Sequence, residues 1–119
     1  MSWSFTGDKP IYSQLIEQLQ LRIVTGFYPP GGKLDTVRDL AQEASVNPNT
    51  MQRALAELER QGLVYSQRTS GRFVTENAED ITRLRENLAR EKVDRFLSEM
   101  EKLGFTRQDV CALLKEDRK

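Results

Sequence analysis

The 119-residue chain contains no histidine and a single cysteine, Cys111. Without histidine it lacks the side chain that most often acts as a general base near neutral pH. One cysteine cannot form a disulfide within the chain, and neither the residue spacing of a metal site nor that of a phosphate-binding loop occurs. We therefore expect a protein that is not an enzyme and that holds no metal ion or other cofactor.

Long apolar runs are also missing. No segment approaches the roughly 18 apolar residues that a membrane helix needs. The first residues do not have the basic start and apolar core of a secretory signal. We expect Cys111 to be buried and inert in an apolar helix, which suits a reducing cytoplasm. These features predict a cytoplasmic protein without a membrane partner.

Neither sign of charge is in excess, with 18 basic and 18 acidic residues. Any binding of nucleic acid would therefore depend on a few well-placed cations, since the chain has no overall positive field. The length suffices for one domain with a helical extension, but not for a second domain of ordinary size that binds a ligand. We predict a domain over residues 1–75 and an extension over residues 76–119.

Apolar residues recur at every fourth position from Ile11 to Ile23. This spacing predicts a helix from about Pro10 to Thr25 with one buried face. The aromatic residues Trp3 and Phe5 precede it, and we expect them to cover the edge of the core.

Two short helices joined by a tight turn are predicted next. Thr36 is a good cap for a helix over about Val37–Ala44, and Asp39 stands where it could bond back to the cap. Asn47 suits the cap of a second helix that runs to about Gln61. Such a pair of helices, with a turn of three or four residues between them, is the helix-turn-helix signature.

A β-hairpin is predicted directly after the second helix. The segments Leu63–Ser66 and Arg72–Thr75 favour strands, and the polar stretch between them includes Gly71, which suits a positive backbone angle. The hairpin is the wing of a winged helix-turn-helix. The fold class is therefore mainly α with a small β-hairpin, followed by a helical extension.

A helix that enters the major groove of DNA reads bases with the residues near its N-terminus. In the second helix these residues are rich in amides, which can pair with adenine, and include one cation. The candidates are Asn47, Asn49, Thr50, Gln52 and Arg53. For Asn47 the alternative is a role as helix cap alone, and for the others it is an ordinary solvated surface.

Arg38 lies in the first turn of the preceding helix, where the helix dipole disfavours a cation. An external phosphate or guanine would explain its position, and an ordinary surface arginine is the alternative. Further candidates for contacts with the DNA backbone are Lys33, Thr36, Arg68, Thr69, Ser70 and Arg72. We expect Gly71 to let the wing tip approach a narrow minor groove, and a plain hairpin-turn glycine is the alternative.

Residues 76–119 predict a helix over about Ala78–Leu103 and a short helix capped by Thr106. The two helices have few partners within the chain, so we expect their apolar residues to join two copies in a homodimer. The alternative is packing on the chain's own core. The residues assigned to the dimer surface are Ile81, Leu84, Leu88, Val93, Phe96, Leu97, Met100, Leu103, Val110, Leu113 and Leu114.

Ordered motifs over about residues 9–75 resemble the GntR family of bacterial transcription regulators. The motifs are Pro10–Leu15, Gly26, Pro30-Gly31, Lys33-Leu34, Val37–Ala41, Val46–Thr50, Leu58, Gly62–Val64, Gly71 and Phe73-Val74. The short helical extension, without a large effector domain, is similar to the YtrA subfamily. The turn between the paired helices contains Ser45 where glycine is common in the family.

The resemblance implies a homodimer that binds a palindromic operator in double-stranded DNA, usually as a repressor and often of a transporter operon. It also implies DNA contacts by Arg38, Asn49, Thr50, Gln52, Arg53 and Gly71. A small-molecule effector is left open, because no residues mark a site for one. The rival function is a winged helix that binds another protein, which the zero net charge would suit. The polar front of the second helix argues against it.

Overall fold

The computed structural model describes residues 1–116. Its elements, in chain order, are α1 (Ile11–Val24), α2 (Val37–Ala44), α3 (Pro48–Arg60), β1 (Val64–Gln67), β2 (Gly71–Val74), α4 (Ala78–Lys102) and α5 (Arg107–Lys115). The predicted class, mainly helical with one antiparallel hairpin, is confirmed. None of the helices in these residues combines the length and the apolar character that crossing a lipid bilayer requires.

The chain divides into two compact units, and the division falls inside α4. The first unit is Met1–Leu84 and the second begins at Arg85. Ile81 and Leu84, which the sequence assigned to a dimer surface, are partly buried against the core of the first unit. Their burial there extends the first unit beyond the predicted boundary at residue 75.

The core of the first unit joins α1, α2, α3 and the hairpin. Leu15, Leu19 and Ile23 of the predicted apolar stripe are buried, because helices α1 and α3 pack against each other. Ile11, predicted to start this stripe, is instead 40% exposed in the first turn of α1. The central buried residues are Leu15, Leu19, Ile23, Leu40, Met51, Leu55, Leu58, Val64 and Val74. Helix α1 begins at Ile11, and Pro10 precedes it in an extended conformation.

Residues 1–9 lie along α1, where two glutamines one turn apart hold their main chain. The side-chain amide of Gln14 accepts from the Thr6 N–H at 2.8 Å and donates to the Thr6 carbonyl at 2.9 Å. Gln18 makes the same pair of bonds with Ser4, at 3.1 and 2.6 Å. Each amide therefore satisfies both backbone groups of one residue, as a neighbouring strand would.

Arg22 continues this row, although its role was not predicted. Its guanidinium donates to the carbonyl oxygen of Met1 at 3.0 Å and stacks 3.8 Å from the Trp3 ring centroid. The arginine is only 2% exposed, so its charge is stabilised by aromatic faces and a carbonyl oxygen. Trp3 and Phe5 are half-buried against the core, as expected.

Caps define the helix-turn-helix. The Thr36 hydroxyl accepts from the Asp39 N–H at 3.1 Å, but the predicted bond back from the Asp39 side chain is not formed. Asn47 Oδ1 accepts from the Asn49 N–H at 2.7 Å, as its cap role predicts. Between the helices Ser45 adopts φ 57° and ψ 46°, the left-handed conformation that favours glycine.

The hairpin strands lie one residue from their predicted places. The pairing runs from Val64 opposite Val74 to Gln67 opposite Gly71, which leaves a turn of residues 68–70. Lys33 forms a bridge to Phe73 on the other edge of β2. The segment before α2 is therefore joined directly to the wing.

In the second unit, Thr106 and Asp109 form the reciprocal capping box at the start of α5. The Thr106 N–H bonds the Asp109 carboxylate at 2.8 Å, and these contacts with Thr106 lower the pKa of Asp109. Val110, assigned to the dimer surface, is buried within the chain itself. Cys111 is exposed, so the expectation of a buried thiol was wrong: it lies on the open side of α5, one residue after Val110.

Replacing Ser45 with glycine should raise the free energy of unfolding by about 0.5–1 kcal/mol. The left-handed conformation strains any residue with a Cβ, and the gain exceeds the entropy that glycine adds to the unfolded chain. Urea unfolding at a fixed protein concentration measures the change. The control Ser45→Ala retains the strain and should not stabilise the chain, so a stabilising alanine or a destabilising glycine would contradict the explanation.

Candidate nucleic-acid interface

Helix α3 has two chemically distinct faces. Met51, Ala54, Leu55 and Leu58 are buried against the core. Asn49, Gln52 and Arg53 are exposed on the opposite side. Residues three and four apart share one side of a helix, so these three polar side chains form a single surface. The candidates predicted to read bases therefore face solvent together.

The N-terminal end of α3 is partly used by its own cap. Asn47 is exposed, but its side-chain oxygen is bonded to the Asn49 N–H. Its amide NH₂ remains the group with which it could meet a ligand. Thr50 is half-buried in the first turn. Asn47 therefore acts as a helix cap, and its amide NH₂ group is still available for a contact with a DNA base.

Arg38 is exposed in the first turn of α2. It pairs with no carboxylate among residues 1–116. Thr36, exposed beside it, accepts a bond from Asp39 and keeps its hydroxyl hydrogen free to donate. This end of α2 therefore presents a cation and a hydroxyl donor to solvent.

The wing turn consists of exposed polar residues, Arg68, Thr69 and Ser70. Gly71 follows with φ +106°. A Cβ on Gly71 would lie 3.3 Å from Cε of Lys33, so the absence of a side chain leaves room for the lysine stem. The structure thus brings together Lys33 and the start of β2, two candidates that are far apart in the sequence.

Arg72 differs from the other candidate cations. Its Nε donates to Oε1 of Glu59 at 3.3 Å, and the Ser66 hydroxyl donates to the same oxygen at 2.8 Å. Glu59 on α3 therefore holds both strands of the hairpin. The sequence did not indicate this role for Glu59, because its partners lie in a different element.

The cations of the first unit fall into two groups, those that form an ion pair with a carboxylate and those that do not. Arg60, Arg72 and Arg83 each lie within 4.0 Å of a carboxylate oxygen. In the described part of the chain the remaining candidates, Lys33, Arg38, Arg53 and Arg68, have no such partner. Although the chain is neutral overall, unpaired positive charge is present on the candidate surface.

The other end of α3 is electrically balanced. Arg60 Nε donates to Glu57 at 2.8 Å and Gln61 donates to the same carboxylate at 2.9 Å. These bonds, first that of Arg60, lower the pKa of Glu57 to about 2. Glu57 is therefore ionised at neutral pH and offsets the charge of Arg60. The candidate surface ends before this pair.

One contact of the candidate surface was not predicted. The guanidinium carbon of Arg53 lies 4.6 Å from the centroid of the Tyr12 ring on α1. From the sequence, Tyr12 was only one residue of the predicted first helix. A pairing between residues 41 positions apart has no signal in a single sequence.

Comparison with known proteins identifies the same region. The family described as bacterial regulatory proteins, gntR family, matches residues 11–74. The HTH-type transcriptional repressor YtrA of Bacillus subtilis (strain 168) is 35% identical over 121 residues, covering 95% of this chain and 93% of YtrA.

Solved structures of transcription regulators are also similar to this chain. A GntR family transcriptional regulator from Listeria monocytogenes is 40% identical, with a TM-score of 0.87 over 96% of this chain and 100% of that one. The DNA-binding domain of AraR, in complex with operator ORX1, is 30% identical. Its TM-score is 0.57, over 63% of this chain and 99% of that domain.

Replacing Arg38 with alanine should weaken binding to a DNA duplex that the wild-type protein has selected from random sequences, by about 1–3 kcal/mol. The thermal unfolding midpoint should hardly change, because Arg38 is exposed and makes no ion pair within residues 1–116. Fluorescence anisotropy with a labelled duplex measures the affinity. Arg60→Ala, at the balanced end of α3, is the matched control and should bind normally. Unchanged affinity in Arg38→Ala would remove this residue from the interface.

Proposed function

Because the chain belongs to the GntR family of bacterial regulatory proteins, we propose that it is a repressor that binds a palindromic operator as a homodimer. It is a DNA-binding transcriptional regulator with a winged helix-turn-helix. Its relatives are regulators of transcription, not enzymes. The observation that carries the proposal is the exposed polar face of α3, which includes Arg53, a cation with no carboxylate partner in the described chain.

In this proposal α3 lies in the major groove. Asn49 and Gln52 offer amides that can bond bidentately to adenine, and Arg53 offers a guanidinium. Arg38, Thr36 and the backbone N–H of Thr50 meet phosphates or base edges. The Asn49 and Met51 N–H groups are already bonded to Asn47. The four candidate cations that lack carboxylate partners within residues 1–116 compensate the phosphate charge, which the neutral chain as a whole does not do.

The wing forms the second contact. Arg68, Thr69 and Ser70 approach the DNA backbone or minor groove from the hairpin turn, and Lys33 lies beside Gly71 to add a further cation. Arg72 lies next to Gly71 on β2, but its guanidinium is bonded to Glu59. We assign it the weaker share of the contact, since it would exchange that bond for one to DNA.

Apolar side chains left open on the second unit support the homodimer. Val93, Phe96, Leu103 and Leu114 are 52%, 42%, 71% and 74% exposed. Leu88, Leu97, Met100 and Leu113 are partly covered. Burying these surfaces against a second copy would remove them from water. A two-fold pair of winged domains then matches a palindrome with two half-sites.

Repression is proposed from likeness to YtrA, which is named a repressor. A dimer seated on an operator can exclude other proteins from the same duplex. The target class that the family resemblance implies is a transporter operon. Sequencing the genomic fragments bound by the full chain, from the genome that encodes it, tests this target. Fragments without a transporter gene beside them would contradict it.

Binding to duplex DNA should weaken steeply as salt rises, because the unpaired cations displace counterions from phosphates. Anisotropy titrations of a selected duplex at several salt concentrations give the slope of log affinity against log salt. Arg68→Ala should reduce that slope by about 2, because each lost phosphate contact changes it by about 1 and the dimer loses one contact in each half-site. Arg83→Ala, on α4 and ion-paired with Asp80, is the control. If the chain does not bind duplex DNA, or binds it with an affinity that does not depend on salt, the rival function of protein–protein contact would be favoured.

Phe96→Asp should convert the dimer to a monomer, because it places a charge in the apolar surface proposed to join two copies. Sedimentation velocity of the full chain measures the mass. Operator affinity should fall strongly as well, because each half-site is then bound singly. Arg95→Ala changes the net charge by the same amount at a neighbouring exposed position and should stay dimeric. A dimeric Phe96→Asp chain would contradict the assigned surface.

A further inference from the structure

Tyr12 and Arg53 link the polar face of α3 to helix α1 beneath it. The ring of Tyr12 is half-buried and packs against the core, so its position is fixed by the fold. The Arg53 guanidinium lies over this ring, 4.6 Å from its centroid. A cation is attracted to the negative face of an aromatic ring. The long arginine side chain is therefore held at its end as well as at its backbone.

Stacking leaves the recognition chemistry of Arg53 unused. Within residues 1–116, Arg53 pairs with no carboxylate. The guanidinium carbon lies over the ring face, and no carboxylate within residues 1–116 engages the five N–H donors of the group. The contact thus restrains the cation without occupying the donors with which arginine bonds guanine or phosphate.

We propose that Tyr12 is a positioning residue that orients Arg53 for its contact with DNA. The inference rests on the proposed function, because it takes Arg53 as one of the residues that meet the duplex. A free arginine samples many rotamers, and selecting one of them on binding lowers affinity. Tyr12 reduces this loss because it restricts Arg53 before the DNA arrives.

The opposite effect of the same contact is also conceivable on physical grounds: the ring could draw Arg53 away from the groove. The exposure of Arg53 favours positioning, since the residue is accessible to solvent while its guanidinium lies over the ring. The two effects have opposite signs in a binding experiment. Loss of the ring weakens binding if Tyr12 positions Arg53, and tightens it if Tyr12 withdraws Arg53.

A double-mutant cycle on the full chain tests the proposal. The duplex is one selected from random sequences by the wild-type protein. Tyr12→Leu keeps an apolar side chain at the position and should weaken binding roughly two- to fivefold for each half-site, the range for one exposed cation–ring contact. In an Arg53→Ala background the same change should have no effect. Tyr12→Phe keeps the ring and should bind like the wild type.

A second cycle controls for indirect effects. Tyr12→Leu and Arg38→Ala should act independently, because their changes in binding free energy add when residues share no contact. Equal weakening by Tyr12→Leu with and without Arg53 would overturn the inference, as would tighter binding by Tyr12→Leu. Failure of Arg53→Ala to change affinity would overturn it too.

Fluorinated phenylalanines at position 12 keep the test valid if Tyr12→Leu does not fold. Fluorine weakens the negative ring face with little change of shape. Affinity should decline stepwise with each added fluorine, and it should stay flat in the Arg53→Ala background. A flat series with Arg53 present would overturn the inference. Failure of the wild-type chain to bind any duplex would instead remove the proposed function, so the two failures are distinguishable.

Discussion

The packing of α3 against α1 is the constraint on which the remaining structure depends. It buries Met51, Leu55 and Leu58 beside the stripe of α1. Because a helix that buries one side must expose the other, the same packing directs Asn49, Gln52 and Arg53 to solvent. It also brings the Tyr12 ring beneath Arg53. The hairpin then attaches through Glu59 to the last turns of α3, so the position of the wing follows from that helix as well.

Much of this organisation could be predicted from the sequence, because local hydrophobic periodicity and helix caps determine it. The stripe of α1, the Asn47 cap and the Thr106–Asp109 box all depend on residues within a few helical turns. Local patterns did not indicate the contacts between distant segments. Ile81 and Leu84 repeat with the spacing of the residues that follow them, and nothing local tells that they pack on the first unit. Cys111 lies in a helix with two faces, and spacing alone did not say which one is covered.

Candidate site residues were predictable as positions on a surface, but not in their pairings. Arg38 and Arg72 are both arginines beside a predicted DNA contact, yet of these two only Arg72 has a carboxylate partner in the first unit. Composition also concealed the available charge. Eighteen cations balance eighteen anions, but ion pairs such as Arg60–Glu57 remove some of them from action. A phosphate interacts with the local positive charge that ion pairs do not neutralise. This charge depends on side-chain geometry, which a count of charged residues does not contain.

The attachment of residues 1–9 has a consequence for how this protein can diverge. Gln14 and Gln18 bind the backbone of Thr6 and Ser4. The Thr6 side chain has contacts of its own, because its hydroxyl lies 2.5 Å from the Asp8 carboxylate and 3.3 Å from the Gln14 side-chain oxygen. The side chain at position 4 is therefore largely free to vary among homologues, apart from proline, which has no N–H to donate. The glutamines themselves tolerate far less exchange, because glutamate would lose the donor and lysine the acceptor. Sequence constraint on this contact thus falls on Gln14 and Gln18 of α1, and hardly at all on position 4.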